Sequence, residues 1–204
     1  MIGEVKKGSA MASSSASLVG LSPRERILDT ASTLFYEEGI HAVGVERIVS
    51  DSGHPRATLY RHFRGKEGLV LAYLEAEDMA IRAYCKSEDS GLTSQERLSA
   101  IFLGIADDAE KHHLRGCPFI NAAAEYPDPD SAVRRAVSRH RDWFRSALEL
   151  AFNAAGRRDA RRDAAMLVLL RDATLVGSYL DDAVETRAAF WSAVRSVFGE
   201  DLVA

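Results

Sequence analysis

The segment from Ser50 to Glu67, SDSGHPRATLYRHFRGKE, constrains the fold of this chain more than any other stretch. Gly53 closes one helical pattern, Pro55 opens the next, and Gly65 separates that short second helix from a third beginning at Lys66. Two short helices joined by a tight turn containing glycine hold the second helix clear of the protein body, the arrangement that enters the major groove of DNA. Between Arg56 and Lys66 the chain carries Arg56, Arg61, Arg64, Lys66 and His62, and no acidic residue.

The net charge of −4 points away from a nucleic-acid partner. The acidity lies mainly in the C-terminal two thirds, however, and screening limits the reach of distant charge to about 8–10 Å. A local basic face can therefore still grip phosphate. Apolar residues make up 47% of the chain, enough for a real core. No apolar run approaches the roughly 20 residues that cross a bilayer. The first residues have no secretory-type apolar core, so cytoplasmic residence without a membrane partner is expected. Cys85 and Cys117 are too few for a disulfide framework and read as thiols in a reducing compartment.

Periodicity predicts an all-α chain. Residues 1–20, rich in Ser, Ala and Gly, read as a disordered tail; a loose terminus is the favoured reading over a minor-groove arm carrying Lys6 and Lys7. Ser22 as N-cap, Pro23 at the first helical position and Glu25 three residues past the cap start a helix that Gly39 stops. Helices follow at about 45–51, 55–63 and 66–86, the last with an apolar stripe that includes Leu69, Val70, Tyr73, Leu74 and Met79. Further helices are expected at 93–112, opened by a Thr93/Glu96 capping box, and at 119–125, 130–156, 159–182 and 185–198. There is no alternating strand pattern and no internal repeat.

The residues Phe35-Tyr36-Glu37-Glu38-Gly39, Val45-Glu46-Arg47-Ile48, Ala57-Thr58-Leu59-Tyr60-Arg61-His62-Phe63 and Lys66-Glu67-Gly68-Leu69 together resemble the N-terminal domain of TetR-family repressors. The resemblance implies a helix-turn-helix DNA-binding domain at 21–66 and a helical effector-binding and dimerisation domain at 67–204. It also implies repression of a palindromic operator by a homodimer, relieved by a small molecule. Carried over residue by residue, it implies that Arg56, Thr58, Tyr60, His62 and Lys66 contact DNA, flanked by Gly44, Val45, Arg47, Pro55, Ala57 and Arg61. Three positions depart from the pattern: Gly44 where a Ser or Thr cap is usual, Gly65 before Lys66, and His54 in the turn.

The same resemblance implies an apolar effector pocket in the larger domain. Phe102, Ile105, Cys117, Asn121, His140, Phe144, Leu148, Thr174 and Tyr179 are its candidate lining, although stripes of this kind are ordinarily plain core. His112, His113 and Cys117 lack a fourth ligand at metal-binding spacing, and two histidines at a helix C-terminus are explained by the helix dipole. No metal and no cofactor is expected. The helices at about 159–182 and 185–198 carry more apolar surface than one chain covers, which predicts a dimer through them, with Gly177 and Ser178 allowing close approach. No nucleophile–base pair, converging carboxylate pair or phosphate loop is present, so an enzyme is not expected. A helical binding module without DNA function is the competing class.

Overall fold

The computed structural model describes residues 20–87 and 91–202. The tail expected over residues 1–20 therefore lies, but for Gly20, outside the described residues. Those residues form α1 (Pro23–Glu38), α2 (Val45–Ser52), α3 (Arg56–Phe63), α4 (Lys66–Ser87), α5 (Ser94–Asp107), α6 (Pro118–Glu125), α7 (Ala132–Ala154), α8 (Ala160–Leu180) and α9 (Ala183–Phe198). No strand occurs among the described residues. The all-α expectation holds.

Local signals set the helix ends. At α1 the Ser22 Oγ accepts from the Glu25 N–H, while Glu25 accepts from the Ser22 N–H at 2.8 Å. Such a cap contributes about 1 kcal/mol. The Thr93/Glu96 pair repeats the device at α5. Gly53 ends α2 at φ 68°, a left-handed conformation in which a side chain is strained. Pro55 is extended at ψ 147° and acts as the N-cap of α3 rather than its first helical residue. The Thr58 N–H then bonds the Pro55 carbonyl at 2.8 Å.

The α3–α4 corner is tight. Arg64 takes φ 59° and Gly65 φ 120°, so the chain reverses within two residues. A Cβ on Gly68 would lie 1.9 Å from the Phe63 carbonyl oxygen. No side chain fits there, and this glycine lets α4 start against the end of α3.

Two apolar clusters fill the interior. The first joins Ile27, Phe35, Ile48, Leu59, Phe63, Leu69 and Tyr73 to Phe119, Val133, Val137 and Leu175, so it runs from α1–α4 into α6, α7 and α8. The second gathers Leu98, Phe102, Leu148, Phe152, Leu167, Phe190 and Phe198 from α5 and α7–α9. In it the Phe198 ring stacks on Phe102 and Phe152 at centroid distances of 5.4 and 5.2 Å. Fully burying a Phe or Leu contributes about 1.5–3 kcal/mol, so these clusters supply most of the driving force.

Two further expectations are corrected. Met79 is 63% exposed: it lies on the side of α4 away from α7, which the neighbouring Asp78 and Arg82 face through His140 and Trp143. The helix expected at 93–112 changes at Asp107 into a π-helical turn, Asp108–His112, a widening that brings residues five apart together. Within the chain Gly177 also lets α9 pack closely on α8, since its Cβ position lies 3.1 Å from Thr186.

Candidate nucleic-acid interface

Leu59 and Phe63 anchor α3 in the first cluster, with side chains at helical spacing on its inner face. The opposite face is left to solvent. Arg56, Ala57, Tyr60, Arg61 and His62 are exposed, Thr58 is half-buried, and Pro55 is exposed at the N-terminal end. Gly44 and Arg47 are exposed and Val45 is half-buried at the start of α2, beside this face. Lys66 is half-buried at the α3–α4 corner, where its Nζ lies 3.4 Å from the His41 carbonyl. Burial there lowers the Lys66 pKa, against the pull of Glu125. All eleven residues expected at the interface thus lie on α2, α3 and the corner after it. His54 is half-buried in the turn.

Two cations of this face, Arg56 and Arg47, are held by acids. Arg56 donates to Glu46 at 2.5 Å and to the Tyr60 hydroxyl at 3.2 Å, with its guanidinium 5.3 Å from the Tyr60 ring centroid. Arg47 is paired with Asp51 and Glu38. Both arginine pKa values rise, that of Arg56 chiefly through Tyr60 and that of Arg47 chiefly through Asp51. Such exposed pairs are weak and exchange readily for phosphate. They orient the arginines without consuming them.

Behind this face lies a polar joint that sequence reasoning missed. The Tyr36 hydroxyl accepts from the Arg115 N–H at 2.8 Å and donates to the Gly116 carbonyl at 3.0 Å. Arg115 returns a bond to the Tyr36 carbonyl at 2.8 Å. Glu125, at the end of α6, accepts from the N–H groups of Ile40 and His41 just past α1. His113, expected only to complement a helix dipole, sits between Asp108 at 2.6 Å and Glu77 at 3.5 Å, edge-on to the Tyr36 ring. Burial opposes its charge, but the bonds to Asp108 and Glu77 prevail and raise its pKa to about 10. His112 is exposed. No metal-binding cluster occurs among the described residues.

The nine candidate effector residues do not form one site. Phe102, Ile105 and Leu148 are packed inside the second cluster. Tyr179 is 52% exposed on the outer face of α8, because the helix turns that residue away from α7. Cys117, Asn121, His140, Phe144 and Thr174 lie around the packing of α6, α7 and α8. There His140 stacks on Phe119 at 3.7 Å and bonds Asp78 at 2.7 Å. Burial lowers the His140 pKa despite that carboxylate, so the ring is neutral near pH 7. Asn121 donates to the Arg115 carbonyl at 3.0 Å, and Thr174 to the Leu170 carbonyl at 2.7 Å.

The centre of this region is Arg171, absent from the sequence-derived set. It is buried, its NH1 and NH2 each 3.6 Å from Cys117 Sγ, and its guanidinium lies 5.2 Å from the Phe144 ring centroid. A charged Arg-Asp pair interrupting an apolar helix was the signal available for it, since buried charge is rare unless paired.

Known proteins match both halves of the chain. Residues 27–73 match the family of bacterial regulatory proteins of the tetR type, and residues 94–196 match the tetracyclin repressor-like C-terminal domain. The chain belongs to the TetR family, a family of transcriptional regulators rather than of enzymes. The crystal structure of SCO4454, a TetR-family regulator from Streptomyces coelicolor, is similar with a TM-score of 0.82 and 40% identity, over 86% of this chain and 93% of that one. The uncharacterised regulator YxaF of Bacillus subtilis is 51% identical over 101 residues, 40% of this chain and 53% of its own length. The repressor KstR2 of Rhodococcus jostii is 31% identical over 130 residues, 63% of this chain and 59% of its own. This chain thus spans roughly half to six tenths of the curated relatives it matches. No helix among the described residues is long and apolar enough to cross a membrane.

Proposed function

We propose that this protein is a ligand-responsive transcriptional regulator that binds a palindromic operator as a homodimer and acts as a repressor. The observation that carries the reading is the solvent-facing surface of α3, where Arg56, Tyr60 and His62 are exposed and Thr58 half-buried around the buried anchors Leu59 and Phe63. Phosphate-gripping groups surround side chains able to reach base edges. Residues 21–66 serve as the DNA-binding unit and the remainder as the effector and dimer unit. Similarity to KstR2 and to the Escherichia coli repressor ComR supports the repressor role.

The dimer reading rests on an uncovered stripe. Leu169, Val176 and Leu180 on α8 recur at helical spacing and are 62%, 39% and 69% exposed, and Val184 at the start of α9 is 68% exposed. Two copies related by a two-fold axis would bury these stripes against each other and present two α3 helices to successive major grooves, about 34–36 Å apart or at a longer spacing. Effector binding would then change the separation of those helices through α4 and the Tyr36 joint.

The test is selection of bound sequences from random duplex DNA, in parallel with an Arg56→Ala/Thr58→Ala/Lys66→Ala variant. A palindrome enriched by the wild type and lost in the variant is expected. Absence of enrichment at low salt would overturn the reading and leave the helical module as a ligand or protein binder.

A further inference from the structure

Arg171 on α8 and Arg141 on α7 share one acid. The Asp172 carboxylate receives Arg141 on Oδ2 at 2.7 Å and Arg171 on Oδ1 at 3.1 Å. Beyond that, the hydrogen bonds of the Arg171 guanidinium among the described residues run to Cys117 Sγ, a weak acceptor. The nearby Asp78 is already engaged by Arg82 at 2.6 Å and by His140 at 2.7 Å. Two guanidinium groups, one of them buried, thus hydrogen-bond the same carboxylate, while the charge of Asp108 also favours the charged form of Arg171. Asp172 is thus shared between two cations, and an anion reaching Arg141 from the solvent side would relieve that sharing.

That cluster opens onto a groove of about 450 Å³ between α6, α7 and α8. Phe119, Ile120 and Val137 form its apolar wall, and Arg134, Arg141 and Asp172 its charged side. The lining thus carries two cations and one anion, with Arg171 behind them. An apolar wall facing a small set of converging polar groups is how small-molecule sites are built. Planar guanidinium groups match a carboxylate in two-point fashion.

We propose that this groove is the effector site and that its ligand class is a small organic monoanion, an apolar body bearing a carboxylate. The carboxylate pairs with Arg141 and draws on Arg171 and Arg134, and the body lies along Phe119 and Ile120. The same helix α6 ends in Glu125, which holds the Ile40 and His41 amides beside the DNA-binding unit. A ligand wedged against the start of α6 therefore acts on a rigid element whose other end is tied to α1. The regulatory part of this inference rests on the proposed repressor function; the binding part does not.

The test uses the full chain with defined probes: 2-naphthoate and octanoate against their uncharged carboxamides, followed by calorimetry and thermal melting. The carboxylates are expected to bind and the carboxamides to bind at least about tenfold more weakly, a difference of about 1.4 kcal/mol. Arg141→Gln should weaken carboxylate binding by a similar factor. Asp172→Asn should strengthen it, because removing the internal acid leaves both arginines to the ligand; a purely structural role for Asp172 would not give that sign. Failure of both carboxylates to bind, equal binding of the carboxamides, or unchanged binding in Arg141→Gln would overturn the proposal. Operator affinity is measured separately by fluorescence anisotropy on the selected palindrome. Carboxylate binding with the expected variants but no change in operator affinity upholds the site and overturns ligand-responsive repression. Operator binding by wild type with no carboxylate bound does the reverse.

Discussion

The Tyr36 hydroxyl on α1 is held between the N–H of Arg115 at 2.8 Å and the carbonyl of Gly116 at 3.0 Å, so one side chain both accepts and donates across the two halves of the chain. Gly116 adopts φ 79° at that point, and its Cβ position faces the Leu175 carbonyl at 3.6 Å. The loop after the π-helical turn is thus fixed to α1 by hydrogen bonds and passes close against α8.

Replacing Tyr36 by Phe removes both bonds while keeping the ring against His113. The Arg115 N–H and the Gly116 carbonyl lose their partner in a half-buried site, a cost of about 1–3 kcal/mol. Urea denaturation should show that loss. Operator affinity of the ligand-free variant should change little, whereas release by an effector should become less complete, since the connection between α1 and the loop is loosened.

His113 gives the stability a pH signature. Its pKa is about 10 when folded, above the ordinary value of 6.5 for an unfolded chain. The stabilisation is therefore fully present below about pH 6.5 and is lost progressively as pH rises through 10. Thermal melts of wild type should fall over that window, and His113→Gln should be less stable at pH 6.5 by about 2 kcal/mol and flatter above it. Parallel curves for the two proteins would mean that the ring is uncharged between Asp108 and Glu77.

Much of this architecture was legible in the sequence, for a local reason. Ser22, Glu25, Gly39, Gly53, Thr93 and Glu96 act on their own neighbours, and each sits where capping chemistry places it. The recognition helix was legible because Leu59 and Phe63 fix one face and leave the other residues outward. The joint and the charged groove were not legible. Tyr36 meets residues 79 and 80 positions away, and Arg171 meets Cys117 54 positions away. Such pairings follow from helix packing, which periodicity does not specify. The apolar reading of α8 passed over Arg171 for the same reason.

Lys66 and Glu46 should shift DNA affinity in opposite directions. Each phosphate contact releases counterion, so Lys66→Ala should reduce the slope of log affinity against log salt by about 0.9. Glu46→Gln frees Arg56 from its 2.5 Å partner and adds a cation to the face. Its non-specific affinity should rise severalfold at low salt and converge with wild type at high salt. Anisotropy titrations on the operator and on a scrambled duplex separate the two effects.

Gly68 is the most demanding single position in the DNA-binding half. An alanine methyl would overlap the Phe63 carbonyl oxygen at 1.9 Å, and backbone cannot swing aside as a flexible side chain can. The start of α4 must then move away from the end of α3, and Leu69 and Phe63 lose their shared packing in the first cluster. Overpacking of this kind costs about 1–3 kcal/mol or more. Gly68→Ala should therefore lose operator binding and unfold at lower denaturant. The second cluster, with Phe102, Phe152 and Phe198 stacked far from the corner, should keep α5 and α7–α9 folded. Hydrogen exchange resolved along the chain tests this directly. Fast exchange confined to α1–α4 and α6 is expected, and uniform loss of protection would mean that the two clusters fold as one unit.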